Sequence, residues 1–230
     1  MTTLGLLGGM SWQSTELYYR AINEGVAARR GGHHSADLLL ASVDFAEIEA
    51  LQASDDWAGA ARLLGERAAG LARAGADLLV LCTNTMHLVA PQIEQAAGIP
   101  LLHIAEPTGA ALVAGGRRRV GLLGTRFTME RPFYRDRLVE GFGLDVLTPG
   151  ADDRDTVHRI IYDELVHGVV AETSRDAYRG VIERLVAAGA DAVILGCTEI
   201  TLLVGADDSP VPVFDTTALH AAAAVDAALD

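Results

Sequence analysis

Ala74-Gly75-Ala76-Asp77-Leu78-Leu79-Val80-Leu81-Cys82-Thr83 is answered later in the chain by Ala188-Gly189-Ala190-Asp191-Ala192-Val193-Ile194-Leu195-Gly196-Cys197-Thr198. In each copy a glycine-broken helix end leads to an acidic residue, an apolar run of strand length, and then Cys-Thr. The two Ala-Gly-Ala-Asp segments lie 114 residues apart and the two Cys-Thr pairs 115. Gly5-Leu6-Leu7-Gly8 recurs as Gly121-Leu122-Leu123-Gly124 at an offset of 116. Three matches in one order at nearly one offset predict two homologous halves.

Outward from these repeats, short β-rich runs bounded by glycine and proline alternate with longer helical stretches, as in βαβ units around a parallel sheet. Strands are expected near residues 4–7, 38–42, 78–81 and 101–103, then 120–123, 145–147, 192–195 and 211–214. Helices are expected near 13–29, 56–74, 85–97, 107–114, 129–140, 153–167 and 174–188, with an alanine-rich one after Thr216. The predicted class is α/β, with two pseudosymmetric halves, each a four-stranded parallel sheet flanked by helices. The first half takes residues 1–104 and the second 105–214, while 215–230 crosses back to the first. Gly115-Gly116 followed by Arg117, Arg118 and Arg119 is the only abrupt change near the midpoint, so the hinge is expected to be short.

Composition narrows the chemistry. The 230 residues are 50% apolar, enough for a sizeable core. Acidic side chains outnumber basic ones 31 to 18, for a net charge of −13. With no basic cluster beyond the three arginines, nucleic acid is an unexpected partner. Every basic residue is an arginine, and the absence of lysine removes both a Schiff-base lysine for pyridoxal phosphate and a Walker A lysine. No apolar run reaches the roughly 18 residues of a membrane span, and Met1 to Met10 reads as a buried strand rather than a signal peptide. Two cysteines make no disulfide framework, so a reducing cytoplasm is the expected setting.

Parallel α/β sheets bind ligands beyond the carboxyl ends of their strands, where both cysteines fall. Each precedes a helical turn, Asn84-Thr85 after Cys82 and Glu199-Ile200 after Cys197, so backbone N–H groups and the helix dipole are expected to favour a thiolate. In a pseudo-twofold molecule the two thiols would face one cleft. One could remove an α-proton while the other returned a proton from the opposite face, as a two-base racemase requires. Gly8-Gly9-Met10-Ser11 leaves the first strand for a helix without the G-x-G-x-x-G spacing of a dinucleotide site; tight packing and anion approach are both open readings of its glycines. Thr83, Asn84, Thr85, Thr125 and Thr198 supply hydroxyl and amide groups for a substrate carboxylate. His33, His34, His87, His103 and His167 show no metal-ligand spacing with the cysteines, so no metal is expected.

Gly8-Gly9-Met10-Ser11-Trp12 with Ser14-Thr15 and Tyr18-Tyr19, Cys82-Thr83-Asn84-Thr85-Met86-His87, and Leu195-Gly196-Cys197-Thr198-Glu199 together resemble the aspartate/glutamate racemase family over essentially the whole chain. The resemblance implies a cofactor-independent amino-acid racemase, commonly a homodimer, with its active site between the two halves. It makes Cys82 and Cys197 the acid/bases and places Met10, Thr83, Asn84, Thr85, Thr125 and Thr198 around the substrate. Two departures bear on specificity. The Asp-Ser-Gly of glutamate racemases is replaced by Gly9-Met10-Ser11. Gln52 and His167 fall where aspartate-selective relatives are expected to carry basic residues. An amide and an imidazole replace fixed cations poorly, which implies aspartate, glutamate or a broader amino-acid range. Alternatives are a hydantoin racemase or related isomerase, or a non-catalytic small-molecule binding protein on the same fold.

Overall fold

The computed structural model describes residues 1–230. The chain divides into two compact units, Met1–Ile104 with His220–Asp230, and Ala105–Leu219. In the first, β1 (Leu4–Gly8), α1 (Trp12–Arg30), β2 (Leu38–Ser42), α2 (Phe45–Ala53) and α3 (Trp57–Arg73) precede β3 (Leu78–Leu81), α4 (Ala90–Ala97) and β4 (Leu101–Leu102). The second runs α5 (Ala105–Ala114), β5 (Arg119–Gly124), α6 (Arg126–Glu130), α7 (Pro132–Phe142), β6 (Asp145–Leu147) and α8 (Ala151–Asp163). It continues through α9 (Glu172–Ala187), β7 (Ala192–Gly196), α10 (Ile200–Leu203) and β8 (Val213–Asp215) into α11 (Thr216–Leu229). No helix is long and apolar enough to cross a membrane.

Each unit holds a four-stranded, wholly parallel sheet, ordered β2-β1-β3-β4 and β6-β5-β7-β8. The central strands β1 and β7 are buried along their whole length, as sheets covered on both faces require. Two helices show the apolar stripe that packs on the sheets: Tyr18, Ile22 and Val26 recur every fourth residue on α1, and Tyr178, Val181, Ile182 and Leu185 line the buried face of α9. Ser11 caps α1 by accepting from Ser14 N, and Arg29 and Arg30 complement the dipole in its last turn.

The repeated Ala-Gly-Ala-Asp segments have one structural task in both units. Gly75 at φ +106° and Gly189 at φ +100° end α3 and α9 in the left-handed region. The following N–H groups, Ala76 to Leu71 O and Ala190 to Leu185 O, both at 3.0 Å, close Schellman caps. The acidic residue then docks on the start of the first strand of its unit. Asp77 accepts from Thr3 N at 2.9 Å, and Asp191 accepts from Arg118 N at 3.0 Å.

Four details differ from the sequence-based expectation. Pro91 near the start of α4 cannot donate to the preceding turn, so 85–97 separates into a 3-10 turn at Thr85–Val89 and an α-helix. Pro132 likewise divides 129–140 into α6 and α7. Two helices are additional: α2, started by the Asp44 carboxylate on Ala46 N, and the four-residue α10. Lastly, the return to the first unit falls at His220 rather than at residue 215. Thr216 Oγ1 donates to Leu195 O at 3.0 Å and Asp215 accepts from Thr217 N at 2.8 Å, which binds the first turn of α11 to the second unit.

Candidate active site

In both sheets the strand order reverses at the same place. The chain moves from β1 outward to β2 and then jumps to β3 on the other side, and from β5 to β6 and then to β7. The ligand crevice of such a sheet lies beyond the carboxyl ends of the two strands that flank the jump. In the first unit those ends are Gly8-Gly9-Met10 and Cys82; in the second they are Gly124-Thr125 and Cys197. Topology thus gives the two cysteines equivalent positions.

In the first unit Cys82 N donates to Leu7 O and Thr83 N to Leu81 O, both at 2.9 Å, so Cys82 is the centre of a three-residue γ-turn. Cys82 is fully buried in the apolar cluster that holds Leu4, Leu6, Tyr18 and Val80, and its thiol points at Val80 O, 3.6 Å away. Burial alone pushes this thiol far above its usual range. Thr83, Asn84 and Thr85 follow, all buried. His87 Nδ1–H donates to Thr83 O at 2.7 Å, and His87 Nε2 accepts from Ile104 N at 3.1 Å.

Two hydrogen bonds tie the loop after β1 to the first turn of α1. Gly9 N donates to Thr15 Oγ1 at 2.8 Å, and Thr15 Oγ1 donates to Ser11 O at 2.9 Å. A Cβ at Gly9, whose φ is +92°, would lie 2.2 Å from Val43 O. Close packing accounts for this glycine, and its N–H is committed to Thr15. Met10 is buried in the apolar cluster that holds Ile48 and Met86. Gln52, 5% exposed on α2, donates from Nε2 to Met86 Sδ at 3.0 Å. It is an inward-facing residue tied to the turn after Cys82, rather than a solvated one.

In the second unit Thr125 caps α6, accepting from Thr128 N at 3.3 Å, and is buried. Cys197 is only partly buried, and its Sγ–H donates to Glu199 Oε2 at 2.9 Å. Thr198 Oγ1 donates to the same oxygen at 2.7 Å. Glu199 is 5% exposed, so these contacts act in a low-dielectric setting. Burial first, then the charge of Glu199 and its bond to the thiol, raise the Cys197 pKa; N–H groups of Glu199 and Thr198 pull the other way. His167 is exposed in the 3-10 turn that ends at Gly168, with nothing holding its ring inward.

The sequence-based expectation of a dipole-favoured thiolate is therefore corrected in both units. The element after Cys82 is a 3-10 turn and the one after Cys197 has four residues, too little aligned backbone to offset desolvation. Burial raises the pKa of both thiols above the usual range.

A family model described as Asp/Glu/Hydantoin racemase matches residues 7–224. The chain belongs to that family. A Yersinia pestis protein grouped with the Asp/Glu racemases is 59% identical, with all of both chains covered and a TM-score of 0.93. An aspartate racemase homologue from Pyrococcus horikoshii OT3 is 30% identical over all of both chains, with a TM-score of 0.83. The broad specificity amino-acid racemase RacX of Bacillus subtilis (strain 168) is 25% identical over 162 residues, which span 67% of this chain and 66% of that relative. In this member of the family, the residue that sequence reading passed over is Glu199. A carboxylate two positions after a repeat-matched cysteine was its signal, visible only when Cys-Thr-Glu is set against Cys-Thr-Asn in the first half.

Proposed function

We propose that the chain is a cofactor-independent amino-acid racemase in which Cys82 and Cys197 exchange protons with the two faces of the substrate α-carbon. The observation that carries this reading is the matched placement of one cysteine at the carboxyl end of the third strand of each sheet. Aspartate, glutamate or a broader set of amino acids is the substrate class, in keeping with a neutral Gln52 and an exposed His167 rather than fixed cations.

In one direction Glu199 accepts the Cys197 proton, and the thiolate so formed takes the α-proton. The Cα–H electron pair passes into the carboxylate as an enolate-like anion, stabilised by hydroxyl and amide donors of Thr83, Asn84, Thr85 and Thr125, while the Thr198 hydroxyl stays on Glu199. Cys82, held as a thiol by its burial, delivers its proton to the opposite face. Return of the Glu199 proton to the Cys82 thiolate restores the starting state. The reverse direction exchanges the roles of the thiols.

The test is incubation in D₂O, without added cofactor, of single-enantiomer aspartate, glutamate, their amides and several neutral amino acids. Loss of the Cα–H signal with appearance of the other enantiomer is the expected result. Absence of exchange across the whole panel would favour the non-catalytic binding protein.

A further inference from the structure

Beneath the first switch point lies a buried cluster that the two-thiol chemistry does not use. His87, His103 and His220 are at most 7% exposed, and their rings meet edge to face, His87 to His103 with centroids 4.5 Å apart and His87 to His220 at 5.8 Å. Tyr18 OH donates to His220 Nδ1 at 2.8 Å, and His220 Nε2–H donates to Leu102 O at 2.8 Å. The network joins α1, α11, β4 and the turn after β3. Hydrogen-bond roles fix the tautomers. A carbonyl only accepts and a backbone N–H only donates, so His87 carries its proton on Nδ1 and leaves Nε2 as acceptor, a neutral ring. Burial also pushes His220 down to about 4.

We infer that His87 is the positioning residue of Cys82: its Nδ1–H holds the Thr83 carbonyl while its Nε2 is held by Ile104 N–H, pinning the γ-turn that aims the thiol. This rests on the reading of Cys82 as an acid/base. The turn is fixed on its other side by the Cys82 N–H bond to Leu7 O, so the two anchors act on opposite ends of a two-residue segment. The second unit has no counterpart, since the position that matches His87 by the Cys-Thr offset is Leu202, 45% exposed.

Two substitutions separate the anchors. In His87→Asn the amide nitrogen takes the place of Nδ1 and keeps the donor to Thr83, whereas in His87→Gln the amide oxygen takes the place of Nε2 and keeps only the acceptor for Ile104. His87→Leu removes both. Racemisation is measured in both directions, and, in a Cys197→Ser background, the rate at which methyl methanethiosulfonate labels Cys82 is followed by mass spectrometry. His87→Asn is expected to keep kcat within about threefold of wild type, and His87→Gln to lose about tenfold or more in kcat with KM little changed. Cys82 labelling is expected to rise about tenfold in His87→Gln and His87→Leu and to stay within about twofold in His87→Asn, because only loss of the Thr83 anchor frees the turn. Equal labelling in the Asn and Gln variants overturns the inference, even if His87→Leu does not fold. If wild type racemises nothing while the labelling pattern appears, the racemase reading fails and the positioning role stands.

Discussion

The two units share sheet order, Schellman-capped approach and switch point, yet they present their cysteines in opposite settings. Cys82 is fully buried, pinned in a γ-turn, and followed two residues later by the neutral Asn84. Cys197 is partly exposed, and the matching position two residues on is Glu199, whose carboxylate accepts from its thiol. The repeat places both cysteines at matched strand ends, while the residues around them differ: a carboxylate accepts from the second thiol, and His87 holds the carbonyl that follows the first. The teaching of the contrast is that equivalent positions need not be equivalent acids and bases.

The largest expected effect comes from removing either thiol. Cys82→Ala and Cys197→Ala should each lower racemisation in both directions by about a thousandfold or more, because each direction needs one thiol as base and the other as acid. Circular dichroism should show the fold retained. A variant that kept near wild-type turnover both ways would break the comparison outright.

Next in size is Glu199→Gln, which makes the second unit resemble the first. Turnover should fall about ten- to a hundredfold, more steeply in the direction that uses Cys197 as base, since the amide cannot accept the thiol proton. The same change removes the charge that raises the Cys197 pKa, so in a Cys82→Ser background the midpoint of thiolate-dependent alkylation should move to lower pH. An unmoved midpoint would show that the carboxylate does not govern this thiol.

A smaller effect is read in stability. His220 has a folded pKa of about 4, below the ordinary value of 6.5, because burial disfavours the charged ring. The unfolded chain therefore binds a proton that the folded one does not as pH falls below about 6.5, and its contribution to stability is lost from there down to about 4, by up to roughly 1.4 kcal/mol per pH unit. Urea unfolding at a series of pH values should show this slope, and His220→Gln should flatten it while lowering stability at neutral pH.

The smallest effect tests the shared architecture. Asp77→Ala and Asp191→Ala each remove the carboxylate that accepts backbone N–H at the start of β1 and β5. Each should cost about 1 kcal/mol by denaturant titration with activity little changed. Unequal costs would show that the repeated cap contributes differently in the two units.

The α/β class, the eight strands to within about two residues, and the duplication were legible in the sequence, because apolar runs of strand length and helix-ending glycines are local signals that recur at one offset. The two prolines that interrupt helices were equally visible, but the pattern of apolar residues runs through Pro91 and Pro132 and masked the breaks. Short α2 escaped because its nine residues carry no strong amphipathic period, and with it went the inward orientation of Gln52. Sequence alone determined which residue types lie at the strand ends: two thiols, several hydroxyls, no lysine. Tertiary structure alone decided what those groups are. Burial, a long-range property, overrode the local turn that was expected to favour a thiolate; Gly9 spends its N–H on Thr15; and His87, one of several scattered histidines along the chain, becomes a mount for Cys82 only because β4 brings Ile104 N–H to its far side. Pairing, desolvation and hydrogen-bond role depend on neighbours distant in sequence, and no local pattern records them.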